Sequence, residues 1–125
     1  MALYKNAKLA NVVFAAELHA RLGPGGVLVN TVSPGFVPNT GLSRHQGLRG
    51  RLFMRWVMPL LPLPFIATID DGADALLHAC LSPDIQSGGK YFAKGVEAEP
   101  SPDAACPRLR AALWQLSEAA VAPFL

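Results

Sequence analysis

A chain of 125 residues with 51% hydrophobic and 16% charged side chains is the size of one small domain and can bury a core, which excludes a disordered tail. Its net charge of +2 is too small for a nucleic-acid partner, and no predicted helix alternates bases with aromatics, so none is expected. Cys80 and Cys106 lie far apart with no metal-ligand spacing around either; both are expected to be reduced structural thiols, with neither a disulfide framework nor a zinc site.

The N-terminus lacks the basic region, apolar run and small-residue cleavage site of a signal peptide, which favours an intracellular protein, cytoplasmic or peripherally membrane-associated. From Ala2 to Leu22 no Pro or Gly interrupts a run rich in Ala, Leu, Lys and Glu, which predicts a first helix closed by Gly23-Pro24-Gly25-Gly26. At about 100° per residue, Leu9, Val12, Val13, Ala16 and Ala20 form one apolar stripe, and Ala7, Ala10, Phe14 and Leu18 a second. Tyr4, Lys8, Asn11 and Ala15 fall between them. Tyr4 and Lys8 therefore point the same way, one turn apart, along an edge where a cleft can lie. An ammonium beside a phenol favours the phenolate, so the pair is a candidate for proton transfer; the bland alternative is a Tyr packed by its ring beside a solvated Lys.

Val27-Leu28-Val29-Asn30-Thr31-Val32 is short, β-branched and bounded by glycines before and Ser33-Pro34-Gly35 after, which predicts a mostly buried, parallel strand. Helix followed by strand suggests part of an α/β sheet, in which ligands gather beyond the carboxyl ends of strands; that places residues 33–40 next to any cofactor.

Between Gly41 and Ala67 the chain carries Arg44, Arg49, Arg51 and Arg55, then a mostly apolar stretch with prolines at 59, 62 and 64. No regular element is expected through those prolines, and the stretch is too short and too broken to cross a bilayer, which takes about 20 residues. Three readings stay open: a packed internal excursion, a lid over an apolar substrate, or a peripheral membrane contact from Phe53 to Ile66.

Thr68-Ile69-Asp70-Asp71 predicts a capped helix start, with Thr68 as N-cap and Asp71 three residues on; the helix runs to about Leu81 and presents Ala73, Leu76, Leu77 and Cys80 as its buried side. His78 and Cys80, two apart, do not face together and read as packing or surface residues. Lys90-Tyr91-Phe92-Ala93 reads as a last strand. After a loop around Pro100-Ser101-Pro102, a terminal helix from about Pro107 to Val121 presents Leu109, Leu113, Leu116 and Ala120. Two strands make too narrow a sheet for three helices, so part of a larger domain is expected to be absent.

Tyr4 and Lys8, followed by Asn30-Thr31-Val32-Ser33-Pro34-Gly35, resemble the second half of a short-chain dehydrogenase/reductase. Tyr4-Lys5-Asn6-Ala7-Lys8-Leu9-Ala10-Asn11, Glu17-Leu18, Gly89-Lys90-Tyr91-Phe92 and Pro100-Ser101-Pro102 are similar to the branch of retinol dehydrogenases and WW-domain-containing oxidoreductases. The resemblance covers essentially the whole chain. It implies an α/β fold, the C-terminal portion of a Rossmann-like doubly wound parallel sheet, incomplete at about two strands and three main helices, with residues 1–125 forming a partial domain. It also implies NAD or NADP as cofactor and a small alcohol or carbonyl, lipophilic ones included, as substrate. Tyr4 would be the general acid/base, and Lys8 would tune Tyr4 and bind the nicotinamide ribose. Pro34, Gly35, Val37 and Thr40 would line the nicotinamide, and the first helix would form a homodimer interface. The Gly-rich phosphate-binding turn of such enzymes has no counterpart before Tyr4, and a Tyr-Lys pair without it cannot transfer hydride. The chain as written is thus expected to be inactive, a truncated fragment or an interaction module being the alternative to an enzyme.

Overall fold

The computed structural model describes residues 2–23, 25–38, 47–61, 63 and 66–124. In chain order these form α1 (Ala2–Leu22), β1 (Thr31–Ser33), α2 (Leu48–Leu52), a π-helical turn (Phe53–Val57), a 3-10 turn (Met58–Leu60), α3 (Ile69–Leu81), β2 (Tyr91–Ala93), β3 (Val96–Glu97), α4 (Pro102–Ala105), α5 (Pro107–Val121) and a final 3-10 turn (Ala122–Phe124). The fold is α/β, with a sheet ordered β1-β2-β3. Thr31 N–H donates to the Lys90 carbonyl (2.9 Å) and Lys94 N–H to that of Ser33 (2.8 Å), so both strands advance together and β1 and β2 are parallel, as expected.

The chain divides into two compact units: Met1–Thr31 with Pro83–Phe92 and Glu97–Leu125, and Val32–Ser82 with Ala93–Val96. The division runs through all three strands.

In the first unit α1 has the predicted bounds and ends at Gly23, whose φ of +68° is left-handed. Val13 is fully buried and Phe14 stacks on Trp114 of α5, ring centroids 5.3 Å apart and 14° from parallel. The Arg21 guanidinium covers the same indole at 4.4 Å, held by Glu17 at 2.8 Å. Trp114 thereby sets the rotation of α5, overturning the predicted face. Arg110, Leu113, Trp114 and Ser117 are half-buried, whereas Leu109, Leu116 and Ala120 are exposed. Ala7 and Ala20, placed on the two stripes of α1, are exposed as well.

The strand expected over 27–32 is shorter and less buried. Pairing starts only at Val29, whose carbonyl accepts from Gly89 N–H (2.8 Å), and Val27 and Leu28 are exposed. The Asn30 side chain then accepts from Lys90 N–H at 3.0 Å, completing the ladder where the backbone alone does not. The ring of His19 fills the space over Gly88 and Gly89; a Cβ on Gly88 would meet it at 2.5 Å.

The hairpin β2-β3 was not expected. Lys94 and Gly95, at φ +52° and +79°, form a two-residue turn with both residues in the left-handed region, which matches the right-handed twist of the strands it joins. A Lys at the first turn position hides this signal, since Asn or Asp is the usual occupant there. Residues Pro102–Ala105, expected as loop, form the short α4.

In the second unit Phe36 and Ile66 form a parallel bridge, and Ala67 N–H donates to the Phe36 carbonyl at 2.9 Å. The cap of α3 is as predicted: Asp71 N–H donates to Thr68 Oγ1 (3.0 Å) and Thr68 N–H to Asp71 Oδ2 (2.9 Å). The predicted buried side of α3 is overturned. Ala73, Leu76, Leu77 and Cys80 are exposed, and Gly72 and Ala75 are buried instead. Their small size lets the helix backbone come close: a Cβ on Gly72 would lie 3.5 Å from Val37 Cγ2 and 3.6 Å from Pro34 Cβ. Both cysteines are free thiols.

Helical turns do run into the proline-rich segment. Leu48–Leu52, Phe53–Val57 and Met58–Leu60 follow one another, with Pro59 in the first positions of the 3-10 turn, where proline is tolerated. Among the described residues no helix is long and apolar enough to cross a membrane.

Candidate active site

α1 displays Tyr4 and Lys8 together on its first two turns, both exposed, with Lys8 Nζ over the Tyr4 ring at 5.7 Å from its centroid. Asn11, one turn further along the same strip, is also exposed, so a ligand can reach the row from solvent. Ala15, the fourth residue of that predicted strip, turns inward instead. It lines a cavity of about 30 Å³ together with Val12, Ala16, Thr31, Tyr91 and Arg110. A space of that size holds a water or two, an order of magnitude below a cofactor site. The phenol and the ammonium are not among its walls.

The second unit carries the loop that follows β1. Gly35 takes φ +95°, a left-handed conformation that favours glycine, and a Cβ there would meet Ala67 Cβ and Lys94 Cε, each at 3.1 Å. Pro34 and Val37 lie against Gly72 of α3, so this loop is fixed from beneath by a helix with no side chain at that point. Thr40, the remaining predicted cofactor contact, lies outside the described residues. Pro34, Gly35 and Val37 are thus brought together in one unit, and Tyr4 with Lys8 in the other.

One residue that the sequence reading did not single out borders the loop. Lys94 Nζ donates to the Ile66 carbonyl at 3.2 Å, which draws its alkyl stem alongside Gly35. Its charge also helps hold the Asp71 carboxyl below the ordinary aspartate value, a shift caused first by the Thr68 N–H and then by the Thr68 hydroxyl, against a small desolvation. Only the Tyr91-Phe92 strand two residues earlier signalled it.

Among the described residues no group of three His, Cys, Asp or Glu side chains gathers to hold a metal ion.

Sequence comparison supplies the context for these two constellations. No protein-family profile matches the chain. It is 34% identical over 116 residues to the WW domain-containing oxidoreductase of Danio rerio, covering 92% of this chain and 27% of that protein. It is 35% identical over 119 residues to retinol dehydrogenase 14 of Mus musculus, with 94% and 35% covered. Over 115 residues it is 36% identical to retinol dehydrogenase 12 of Homo sapiens, with 91% and 34% covered. The chain therefore spans about a quarter to a third of the length of the curated relatives it matches.

Proposed function

The chain belongs to the short-chain dehydrogenase/reductase family, matching part of its members' length, and from that premise we propose that it carries the proton-transfer part of an NAD(P)-dependent oxidoreductase acting on a lipophilic alcohol or its carbonyl. The observation that supports this reading is the exposed Tyr4 and Lys8 pair, side by side at the start of α1. The retinol dehydrogenases among the relatives make a retinol-like alcohol the substrate class to try first.

The donor set suits a nicotinamide nucleotide: a phenol able to give one proton, and an ammonium able to hold a ribose hydroxyl. Bound NAD(P)H supplies the hydride, and NAD(P)+ accepts it in the opposite direction. Tyr4 gives its hydroxyl proton to the carbonyl oxygen as hydride reaches the carbonyl carbon. In oxidation the phenolate takes the alcohol proton while hydride leaves the same carbon. Lys8, whose ammonium lies over the Tyr4 ring, would hold the nicotinamide ribose beside it. Pro34, Gly35 and Val37, with Thr40 following in sequence, are the proposed backbone and side-chain contacts of the nicotinamide. A homodimer through α1 is part of the same proposal.

Turnover in this reading also needs a Gly-rich strand-turn-helix to hold the pyrophosphate, and no glycine cluster within these 125 residues has that setting in the sequence. Fluorescence titration of this chain with NADH and NADPH is therefore expected to show no saturation in the micromolar range. A protein in which such a turn precedes Tyr4 is expected to oxidise retinol, and Tyr4→Phe to lower its kcat by about 10²–10⁴-fold with cofactor binding retained. Saturable micromolar binding by the chain alone would overturn the stated need for the turn. Unchanged turnover in Tyr4→Phe would remove Tyr4 from the chemistry.

A second reading, a catalytically inactive fragment or protein-interaction module, is favoured by the apolar surface left open in the first unit. Leu3, Val27, Leu116 and Phe124 are 86%, 72%, 68% and 86% exposed. Sedimentation separates the assembly readings: a single monomeric species across the micromolar range rejects the homodimer.

A further inference from the structure

Between Glu17 and Asp70 the chain has no carboxylate, yet that interval holds Arg44, Arg49, Arg51 and Arg55 within twelve residues. Those four bases exceed the net charge of +2; seven basic and nine acidic side chains make up the remainder, which is net acidic. The positive charge of this protein is therefore concentrated on one segment.

The same segment is helical from Leu48 to Leu60 and exposes large apolar side chains along its length. Leu48, Leu52, Trp56 and Leu60 recur every fourth residue and are 70%, 49%, 66% and 81% exposed; Phe53 and Val57 adjoin them at 48% and 43%. Side chains four apart lie near one face through the α-helical and π-helical turns, so Leu48, Leu52 and Trp56 form one apolar row, and Leu60 exposes a further apolar group beyond it in the 3-10 turn. Arg49 and Arg51 are exposed on its first turn. At about 1.5 Å per residue the thirteen helical residues reach roughly 20 Å, well short of a hydrocarbon core of about 30 Å. A short helical stretch with an apolar ridge containing Trp, bases beside it and no acid suits the plane of a bilayer surface: the ridge enters the acyl boundary while the guanidinium groups stay among the headgroups.

We infer that residues 48–60 dock the protein on an anionic lipid surface, with Leu48, Leu52, Trp56 and Leu60 as the inserted side chains and Arg49 and Arg51 as headgroup contacts. The inference is independent of the oxidoreductase reading, since it requires neither cofactor nor turnover. A second protein copy would cover the ridge but bring the same acid-free segment, with no carboxylate for the bases, whereas phosphatidylserine neutralises them.

The test is co-sedimentation of the full chain with phosphatidylcholine vesicles containing either no phosphatidylserine or about 30% of it, at low and high salt. Binding is expected to the anionic vesicles alone and to weaken as salt rises. Trp114→Phe leaves Trp56 as the single indole, whose emission should shift to the blue and be quenched by brominated acyl chains. Arg49→Glu with Arg51→Glu is expected to reduce binding at least tenfold, and Leu60→Asp to abolish the quenching, with far-UV circular dichroism unchanged in each. Equal binding to neutral and anionic vesicles overturns the inference. So does binding unaffected by charge reversal, an unquenched Trp56, or a concentration-dependent dimer that Leu60→Asp disrupts and vesicles do not compete with.

Discussion

α1 and α3 bury opposite kinds of side chain. The first helix packs through the fully buried Val13 and stacks Phe14, still 39% exposed, on Trp114, so larger side chains meet between the elements. The third packs through Gly72 and Ala75, leaving Leu76 and Leu77 at 49% and 55% exposure. Hydrophobicity is sufficient to explain the first arrangement and misleads for the second. Where a helix lies close against the side chains of a neighbouring loop, the contact face is chosen by what is small enough to allow it, and apolar bulk is displaced to the neighbouring face.

Substitutions can break this comparison in either helix. The largest loss is expected at Gly88, against which α1 lays the ring of His19. A Cβ there would lie 2.5 Å from that ring and 3.0 Å from Val29 N, so Gly88→Val should cost about 3 kcal/mol in urea denaturation. Val13→Ala removes two methyls from a fully buried site and should cost about 2 kcal/mol, while Leu76→Ala on the exposed side of α3 should stay within about 0.5 kcal/mol. Equal losses for these two would mean that bulk is buried in both helices, and the contrast would be lost.

A smaller loss, about 1 kcal/mol, is expected for Thr68→Ala, which removes the acceptor of the α3 cap. This variant also changes the acid response. The Asp71 carboxyl is held below its ordinary value of 3.8, so below that value the unfolded state binds its proton more readily than the folded state. The stabilisation is complete above about pH 4 and is lost as pH falls through the depressed folded value. Without the Thr68 hydroxyl the depression is smaller, so the acid branch of stability against pH should be shallower than in the wild type. An identical slope would show that the cap does not govern Asp71.

The last effect has the opposite sign. A Cβ on Gly72 would find only ordinary contacts with Val37 and Pro34, and glycine inside a helix is disfavoured relative to alanine. Gly72→Ala is therefore expected to stabilise by up to about 1 kcal/mol, whereas Gly72→Leu should destabilise by overpacking. Tolerance of Leu would sharpen the comparison against close approach, since a helix that accepts a leucine there is not seated on Pro34.

Much of this was readable in the residues. The bounds of α1 follow from a long run without Gly or Pro ended by a left-handed glycine, and Thr68 with Asp71 announces the start of α3 by spacing alone. Tyr4 and Lys8 share a strip because helical geometry makes them neighbours before any tertiary contact forms. The shortening of the first strand to Thr31–Ser33 was not readable, because pairing depends on where Gly89 and Lys90 arrive from sixty residues away. The Lys94-Gly95 turn was hidden by a residue that seldom adopts positive φ. The helical turns up to Leu60 are not legible in the sequence, because proline ends most regular elements, although Pro59 stands in the first positions of a 3-10 turn, where proline is tolerated.

By itself the sequence determined the local events: where α1 and α3 start and stop, which two side chains form the candidate proton-transfer pair, and where positive charge is concentrated. These depend on propensity, capping and spacing along one chain segment. Only tertiary structure decided which face each helix buries, how α5 turns to present Trp114, and that Lys94 comes beside Gly35. Those outcomes depend on the shape of a neighbour distant in sequence, and an apolar pattern records which side chains favour burial without recording what stands opposite them.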